Sequence, residues 1–241
     1  MFSNVYQDKK VLITGHTGFK GTWLSTWLLK LGANIVGLSK DIPTKPAMFE
    51  VLNLDNQIQH SILDVRDFNL LKEKILEVKP DFIFHLAAQP IVSTSYNDPL
   101  ETVSTNVMGT TNLLEALRLS NHKCNAIIIT SDKAYDNVEQ VWGYQENDPM
   151  GGKDVYSGSK GAAELIIKSY YHSFFALEES NVRLAVARAG NVIGGGDWAK
   201  DRIIVDAMMA WSKGEKVAVR SPNSTRPWQH VLEPLSGYLS L

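Results

Sequence analysis

The stretch KVLITGHTGFKG (residues 10–21) decides the fold, because a short apolar run passes directly into three glycines spaced three residues apart. Glycines at a strand–helix junction let the backbone turn tightly and approach a pyrophosphate, whose charge is met by N–H groups at the helix N-terminus. The spacing G-x-x-G-x-x-G is one residue longer than the common dinucleotide-binding fingerprint. A glycine-rich turn that only packs strand against helix is the alternative interpretation. The junction favours a cofactor site formed by Gly15, His16, Thr17, Gly18, Phe19, Lys20 and Gly21.

Short β-branched runs alternate with longer amphipathic stretches along the chain. The runs are almost uniformly apolar, as parallel strands covered on both faces should be. They predict strands over residues 11–14, 35–38, 82–86, 126–130 and 182–187. The amphipathic stretches predict helices over residues 18–31, 68–78, 100–119 and 156–175. This alternation predicts an α/β fold, a doubly wound parallel sheet of the Rossmann type.

Composition narrows the class of protein. The 241 residues are 44% hydrophobic and 21% charged, and the net charge of -2 gives no reason to expect nucleic acid or an anionic membrane as partner. The N-terminus lacks the apolar segment of a signal peptide, and the longest apolar stretch, residues 23–31, is too short to span a bilayer. The single cysteine, Cys124, fits a reducing compartment and a structural, buried thiol. These features predict a cytoplasmic protein with no disulfide framework.

The regular alternation ends near Val192. Three consecutive glycines at 194–196 and two later prolines punctuate shorter elements. We therefore expect a Rossmann domain over residues 1–187 and part of a smaller substrate-binding lobe over residues 188–241. A helix predicted to begin near Glu233 runs to the last residue, with Leu239 and Leu241 expected to lack a core. This pattern leads us to expect a chain truncated at its C-terminus.

The end of the second strand bears on the choice of cofactor. An acidic residue usually stands there to bind the adenosine ribose hydroxyls. Ser39 and Lys40 occupy this end instead, and Asp41 comes two positions late. NAD is the expected cofactor, although Lys40 could accommodate the 2′-phosphate of NADP. Asp64 could accept a hydrogen bond from the adenine amino group, or it could cap the helix that begins near Phe68.

Tyr156 and Lys160 stand four residues apart and so share one face of a predicted helix. A phenol with its free pKa of about 10 is a poor base. A lysine one turn away would stabilise the phenolate, which could then remove a proton from a substrate hydroxyl. An exposed pair without function is the alternative. The position after the fifth strand favours a catalytic pair that also contacts the cofactor.

The fifth strand ends in TSDK (residues 130–133), and strand ends of this kind face the ligand crevice. Ser131 could hydrogen-bond the hydroxyl that is oxidised. Asp132 and Lys133 add an acid and a base that simple hydride transfer does not need. A strand-end turn with a solvated lysine explains the same residues, and spacing alone does not decide between these readings.

These motifs resemble those of the extended short-chain dehydrogenase/reductases, the NAD-dependent epimerase/dehydratase family, and among them the nucleotide-sugar 4,6-dehydratases. The resemblance runs in order through almost the whole chain. It is carried by GHTGFKG (15–21), HLAAQP (85–90), TNVMGT (105–110), TSDK (130–133), WGY (142–144), DPMGG (148–152), RAGNVIGGGDW (188–198) and RPWQHV (226–231). Dehydratases for dTDP-glucose or GDP-mannose carry glutamate where Lys133 stands, so the Asp–Lys pair is typical of the CDP-sugar branch. Ala134 and Val155 depart from the usual cysteine and proline.

The resemblance implies a redox-neutral elimination in bacterial surface-polysaccharide synthesis. Tyr156, aided by Lys160 and Ser131, takes the proton of the sugar 4-hydroxyl while a hydride moves to NAD. Lys133 then removes the C5 proton, Asp132 protonates the departing 6-hydroxyl, and the hydride returns at C6. An ordinary lysine is almost wholly protonated at neutral pH. Lys133 must therefore be desolvated or lie near other cations to act as a base; otherwise it stays charged and stabilises the enolate.

The resemblance also assigns contacts to further residues. The additional cofactor contacts that it implies are Ser39, Asp64, Val65, Leu86, Ala87, Ala88 and Asn106. The implied substrate contacts are Gln89, Asn191, Arg202 and Arg226. A guanidinium fork suits a diphosphate, although both arginines could simply be surface residues. Members of the family are often dimers, no metal is expected, and the family's sequence continues beyond Leu241.

Two other functions remain open from the sequence. A nucleotide-sugar 4-epimerase, or a dehydratase for another sugar nucleotide, would use the same scaffold, but an epimerase does not need Asp132 and Lys133. A catalytically silent NAD(P)-sensing regulatory protein would keep the glycine cradle and usually lose the tyrosine–lysine pair. The intact pair at Tyr156 and Lys160 argues against the second of these.

Overall fold

The computed structural model describes residues 2–241 and contains a six-stranded parallel sheet flanked by helices on both faces. The strands of this sheet are β1 Lys10–Thr14, β2 Asn34–Ser39, β3 Gln59–Ile62, β4 Phe82–His85, β5 Cys124–Ile129 and β6 Val182–Ala187. A separate two-stranded parallel sheet pairs β7 Val192–Ile193 with β8 Gln229–His230. The helices are α1 Phe19–Lys30, α2 Met48–Val51, α3 Phe68–Val78, α4 Val92–Asn97, α5 Pro99–Val103, α6 Gly109–Ser120, α7 Val155–Tyr170, α8 Ile203–Ser212 and α9 Leu232–Ser240.

The strand order is β3-β2-β1-β4-β5-β6. Such an order reverses between β1 and β4, and ligands of doubly wound sheets bind outside the carboxyl ends of the strands at that point. The predicted doubly wound parallel sheet is therefore confirmed. The glycine cradle, which follows β1, lies at this reversal.

The central strands are buried on both faces, which explains their uniformly apolar sequences. Leu12 packs with Ile83 and Leu113 on one face of the sheet. Its neighbours Val11 and Ile13 point to the other face, where they pack with α1. The edge strand β3 was not predicted, because its sequence QHSI is polar and partly exposed.

Two predicted helices are confirmed but contain a local change of winding. The helix predicted over 100–119 consists of α5, a π-helical turn over Ser104–Met108, and α6. The helix predicted over 156–175 is α7 followed by a second π-helical turn, Tyr171–Phe175. The first widened turn matters for the site because it contains Asn106.

Residues 188–241 return to the Rossmann sheet. The side chains of Leu235, Tyr238 and Leu239 on α9 belong to the same apolar cluster as Val11 and Ile13. The expectation that Leu239 lacks a core is therefore wrong: it is 3% exposed. The helix predicted near Glu233 is confirmed, and the domain division at residue 187 stays a prediction. Among residues 2–241, no helix combines the length and the apolar character needed to cross a bilayer.

Candidate active site

The glycine cradle is shaped for a close backbone approach. Gly15 has φ +76°, and a Cβ on it would lie 2.7 Å from the backbone nitrogen of Ala87. A Cβ on Gly21 would lie 2.1 Å from the Gly15 carbonyl oxygen. Gly18 precedes the first turn of α1, so free N–H groups of the helix point out of this turn. The cradle thus fits a pyrophosphate-containing dinucleotide on the observed geometry.

His16 lies beneath the cradle rather than on its surface. The imidazole is fully buried, with Nδ1 3.0 Å from the Ser39 hydroxyl and Nε2 2.8 Å from Nδ1 of His60. Gly37 gives it room, since a Cβ there would lie 2.4 Å from the ring. Burial lowers the pKa of His16 to about 4, so the ring is neutral at physiological pH. The buried ring cannot reach the cofactor, so the predicted cofactor contact of His16 applies to its backbone and stays a prediction.

Asp64 does not cap α3, so that alternative is wrong. Asp67 is the N-cap, and its carboxylate accepts from the backbone N–H of Leu70. The Asp64 carboxylate instead accepts from the backbone and the guanidinium of Arg66. These hydrogen bonds lower the pKa of Asp64. Asp64 stays exposed enough for the predicted adenine contact, which remains a prediction.

Tyr156 and Lys160 share the first turns of α7, which Asp154 caps by accepting from the backbone N–H of Ser157. Both side chains are buried, at 8% and 6% exposure. Burial lowers the pKa of Lys160 to about 8, helped by the nearby positive charge of Lys20. Burial raises the pKa of Tyr156, and the nearby Ser131 hydroxyl opposes that rise. The pair is therefore not an exposed helix pair.

The strand-end segment after β5 forms a tight turn. The Ser131 hydroxyl donates to the Asp132 carboxylate at 3.0 Å and accepts from the backbone N–H of Lys133 at 3.2 Å. Asp132 and Lys133 are half-buried. The structure contains the strand-end turn of one interpretation. Asp132 and Lys133 in this turn also line a cleft, as the other interpretation requires.

This cleft has a volume of about 920 Å³ and lies between the carboxyl edge of the sheet and residues 188–241. Its lining includes seven of the predicted site residues, namely Ser131, Asp132, Lys133, Tyr156, Asn191, Arg202 and Arg226. Arg202 lies with its Nε 3.8 Å from the Asp197 carboxylate, and this buried Nε has no hydrogen-bond partner. Arg226 is exposed. The cleft thus brings together the predicted acid Asp132, the predicted base Lys133, the phenol of Tyr156 and the two predicted guanidinium groups.

Asn106 and Gln89 form a buried network beside this cleft. The Asn106 amide bonds the backbone N–H and carbonyl of Gln89, at 2.8 and 3.2 Å, and donates to the Ser159 hydroxyl at 2.9 Å. The Gln89 side chain donates to Thr102 and accepts from the backbone N–H of Ile91. Both side chains bond to the surrounding protein. The predicted cofactor contact of Asn106 and the predicted substrate contact of Gln89 stay predictions.

The remaining predicted cofactor residues follow strands β3 and β4. Leu86 and Ala87 follow β4 and meet Gly15, and the Ala87 N–H donates to the Thr14 hydroxyl at 3.2 Å. Ala88 continues this segment. Val65 is buried against Gly109, where a Cβ would lie 2.7 Å from its Cγ2. These four residues lie around the strand ends where a dinucleotide is expected, and their contacts remain predictions.

His85 escaped sequence reasoning, and so did the contact of Lys20, itself a predicted cofactor residue, with Tyr238. His85 is buried with Nδ1 2.7 Å from the Thr14 hydroxyl, and burial lowers its pKa to about 3. Lys20 donates to the Tyr238 hydroxyl on α9 at 3.4 Å, and burial lowers the pKa of Lys20 to about 8. His85 stood in a quoted motif, but no spacing rule links it to Thr14. Lys20 and Tyr238 are 218 residues apart in sequence, so no local pattern indicates their contact.

An ion pair that also escaped prediction lies between α7 and the segment after β6. Arg188 donates to the Glu164 carboxylate at 2.8 and 3.0 Å and to the Tyr135 hydroxyl at 2.8 Å. The Thr130 hydroxyl also donates to Glu164. This pair joins α7 to the segment after β6, but nothing in the sequence spacing indicates it.

Comparison with known proteins identifies the family of the chain. The family model for GDP-mannose 4,6-dehydratase matches residues 12–239. The CDP-glucose 4,6-dehydratase of Salmonella typhimurium is 54% identical over 239 residues, which cover 98% of this chain and 67% of that relative. This chain thus spans about two thirds of the length of that enzyme.

Solved structures share the fold. An epimerase from Methanothermobacter thermautotrophicus superposes with a TM-score of 0.85 at 24% identity, over 99% of this chain and 69% of that one. The dTDP-glucose 4,6-dehydratase of Bacillus anthracis, in complex with NAD, gives a TM-score of 0.79 at 21% identity, over 95% of this chain and 69% of that one. The resemblance to the extended short-chain dehydrogenase/reductases is confirmed, and the chain belongs to the GDP-mannose 4,6-dehydratase family.

Proposed function

We propose that this chain carries the cofactor site and catalytic groups of an NAD-dependent nucleotide-sugar 4,6-dehydratase, a lyase that acts on CDP-glucose. The observation that carries the proposal is that Asp132 and Lys133 line the same cleft as Tyr156. A 4-epimerase needs the phenol but not this second acid and base. The 54% identity to a CDP-glucose 4,6-dehydratase supports the choice of CDP-glucose.

The glycine cradle is the proposed cofactor site. Gly15 and Gly21 let the backbone of this turn pack closely, and Gly18 precedes α1, whose first N–H groups would meet the pyrophosphate. Ser39 and Asp64 lie at the ends of neighbouring strands. When bound, NAD would accept a hydride from the sugar C4 and return it at C6. The NAD complex of the Bacillus anthracis dehydratase supports NAD as the cofactor.

Tyr156 is the proposed base for the 4-hydroxyl proton. Burial raises the pKa of Tyr156, so activation of the phenol depends on neighbouring groups that favour the phenolate. Ser131, which lines the same cleft, is the proposed hydrogen-bond donor to the phenolate, and the buried Lys160 on the same helix face supplies a positive charge. The pKa of Lys160, about 8, keeps most of this charge at neutral pH and allows proton exchange near it.

Asp132 and Lys133 are proposed to expel water once C4 is a ketone. The ketone acidifies C5, whose proton passes to Lys133. The C6–O bond then breaks, and the departing hydroxyl takes a proton from Asp132 and leaves as water. Lys133 later returns a proton to C5, while the proton that Tyr156 removed balances the one that Asp132 gave. The product is a 4-keto-6-deoxy sugar nucleotide.

Asn191, Arg202 and Arg226 are the proposed nucleotide-sugar contacts, together with Gln89. The unpartnered, buried Nε of Arg202 supports this role, because a buried donor without a partner is costly. Two guanidinium groups in the lining of one cleft suit a diphosphate. We further propose residues 188–241 as part of the substrate lobe, and a homodimer as the assembly, by likeness to the family.

The test is incubation of the protein with NAD and CDP-glucose, with UDP-glucose and dTDP-glucose as comparison substrates. We expect the alkaline absorbance of a 4-keto product with CDP-glucose and a much weaker signal with the other two. The matched controls are Tyr156→Phe, which should abolish the signal, and Tyr171→Phe, an exposed tyrosine just after the same helix. A C4 epimer without loss of water would contradict the proposal.

A further inference from the structure

Four charged side chains form one cluster at the edge of the cofactor site. The Glu101 carboxylate binds Lys40 through Oε1 and Arg66 through Oε2. The guanidinium of Arg66 also binds the Asp64 carboxylate. The cluster therefore contains two acids and two bases, and its formal charge is zero.

This cluster lies where the adenosine ribose of a dinucleotide is expected. Lys40 follows β2, and Asp64 follows β3 by two residues. The two strands are paired, with Ser39 opposite Ile62 at their carboxyl ends. In doubly wound sheets, this end of the second strand carries the acid that binds ribose hydroxyls, or a nearby cation that binds a 2′-phosphate. Here the strand end has a lysine, and an acid reaches it from elsewhere.

The helix that carries Glu101 fixes its position in the cluster. Glu101 lies in the first turn of α5, where the positive end of the helix dipole favours an anion. Its backbone N–H donates to the capping carboxylate of Asp98 at 2.9 Å. Its side chain is 20% exposed, against 44% for Lys40 and 35% for Arg66. The acid is thus the most buried member of its two ion pairs.

We propose that Glu101 sets the cofactor preference, by neutralising Lys40 and Arg66 so that neither cation is left to bind the 2′-phosphate of NADP. This inference rests on the proposed function, since it assumes that a nicotinamide dinucleotide occupies the cradle. A 2′-phosphate brings nearly two negative charges at neutral pH. The 2′-phosphate would therefore lie beside a cluster with no net positive charge. It would also be repelled by the Glu101 carboxylate, which already pairs with both cations. The ribose 2′-hydroxyl of NAD meets no such penalty.

The test compares binding, not turnover. Dissociation constants of NAD and NADP are measured by isothermal titration calorimetry for the wild type, for Glu101→Gln and for Glu77→Gln. Glu77 is the matched control, because it is an exposed glutamate paired with Lys74 on α3. Adenosine 2′,5′-bisphosphate and 5′-AMP serve as probes of the adenosine end alone. Circular dichroism checks that each variant is folded.

We expect the wild type to bind NAD at least tenfold more tightly than NADP. Glu101→Gln should shift this ratio toward NADP by about tenfold or more, the range for losing or gaining a hydrogen bond to a charged group. Glu77→Gln should leave the ratio unchanged, and adding Lys40→Gln to Glu101→Gln should reverse much of the gain.

Three results overturn the inference. A wild type that prefers NADP contradicts it without any variant, so the inference stays testable if Glu101→Gln does not fold. An unchanged ratio in folded Glu101→Gln, with NAD still bound, refutes the role of Glu101 and leaves the proposed function intact. A wild type that binds neither dinucleotide refutes both.

Discussion

The side-chain amide of Asn106 donates a hydrogen bond to the Ser159 hydroxyl at 2.9 Å. Ser159 lies between Tyr156 and Lys160 on α7, whereas Asn106 lies in the π-helical turn before α6. The same amide binds the backbone of Gln89 at the end of the segment that borders the cradle. One buried side chain therefore fixes the catalytic helix relative to the proposed cofactor site.

Asn106→Ala should reduce both stability and activity. The change removes three hydrogen bonds and leaves buried partners unsatisfied, which should lower the free energy of unfolding by about 2–4 kcal/mol. Urea unfolding measures this loss, with the exposed Asn97→Ala on α4 as control. If the variant is as stable as the control, the network does not hold α7 in place.

Lys160→Met should change how stability depends on pH. The pKa of Lys160 is lowered from 10.5 to about 8, so below pH 8 the folded chain bears the cost of a buried charge. Between pH 8 and 10.5 the folded lysine loses its proton before the unfolded one, and wild-type stability rises with pH. The variant lacks this rise.

We therefore expect the stability advantage of Lys160→Met over the wild type to shrink by on the order of 2 kcal/mol from pH 7.5 to pH 10. Urea unfolding at both pH values measures it. Lys168→Met, an exposed lysine on the same helix, is the control and should show no such change. An equal difference at both pH values would mean that Lys160 is not desolvated.

His85→Gln should reduce sensitivity to acid. Burial lowers the pKa of His85 from 6.5 to about 3, so the unfolded chain binds a proton below pH 6.5 while the folded chain does not. Wild-type stability therefore falls as the pH drops through 6.5 toward 4. Between pH 7 and pH 5 the variant should lose about 1–2 kcal/mol less than the wild type. The exposed His172→Gln should behave like the wild type, and equal losses in all three would refute a neutral, buried His85.

Lys133→Met separates the two roles left open for this lysine. If Lys133 is the base for C5, its loss should slow exchange of the C5 proton with solvent and remove one ionisation from the pH–rate profile of the residual exchange. If it acts as a charged stabiliser of the enolate, exchange should be slower at every pH with the same profile. Proton NMR in D₂O follows the exchange, and the exposed Lys153→Met is the control.

The fold was predictable because its signals are local. The glycines of 15–21 and the uniformly apolar strands β1, β4 and β5 are each read from a few adjacent residues. The edge strand β3 was missed because half-exposed strands need no apolar run. The placement of Tyr156 and Lys160 on one face of a helix was predictable because one helical turn is a fixed spacing.

The parts of the site that were missed depend on contacts between distant segments. Glu101 reaches Lys40 and Arg66 from α5, and Arg188 reaches Glu164 on α7. No periodicity links such pairs, because loop geometry and packing bring them together. The D-P-x-E sequence at 98–101 predicts a capped helix start. It does not predict which cations the glutamate of this motif binds.

We propose that Asp132, Lys133 and Tyr156 act together on one sugar to expel water. The mass and NMR spectrum of the product formed from CDP-glucose and NAD in D₂O test this proposal. We predict a product that has lost one water and carries one solvent deuterium, at C5. A product of unchanged mass without deuterium, as from C4 epimerisation, would contradict the claim.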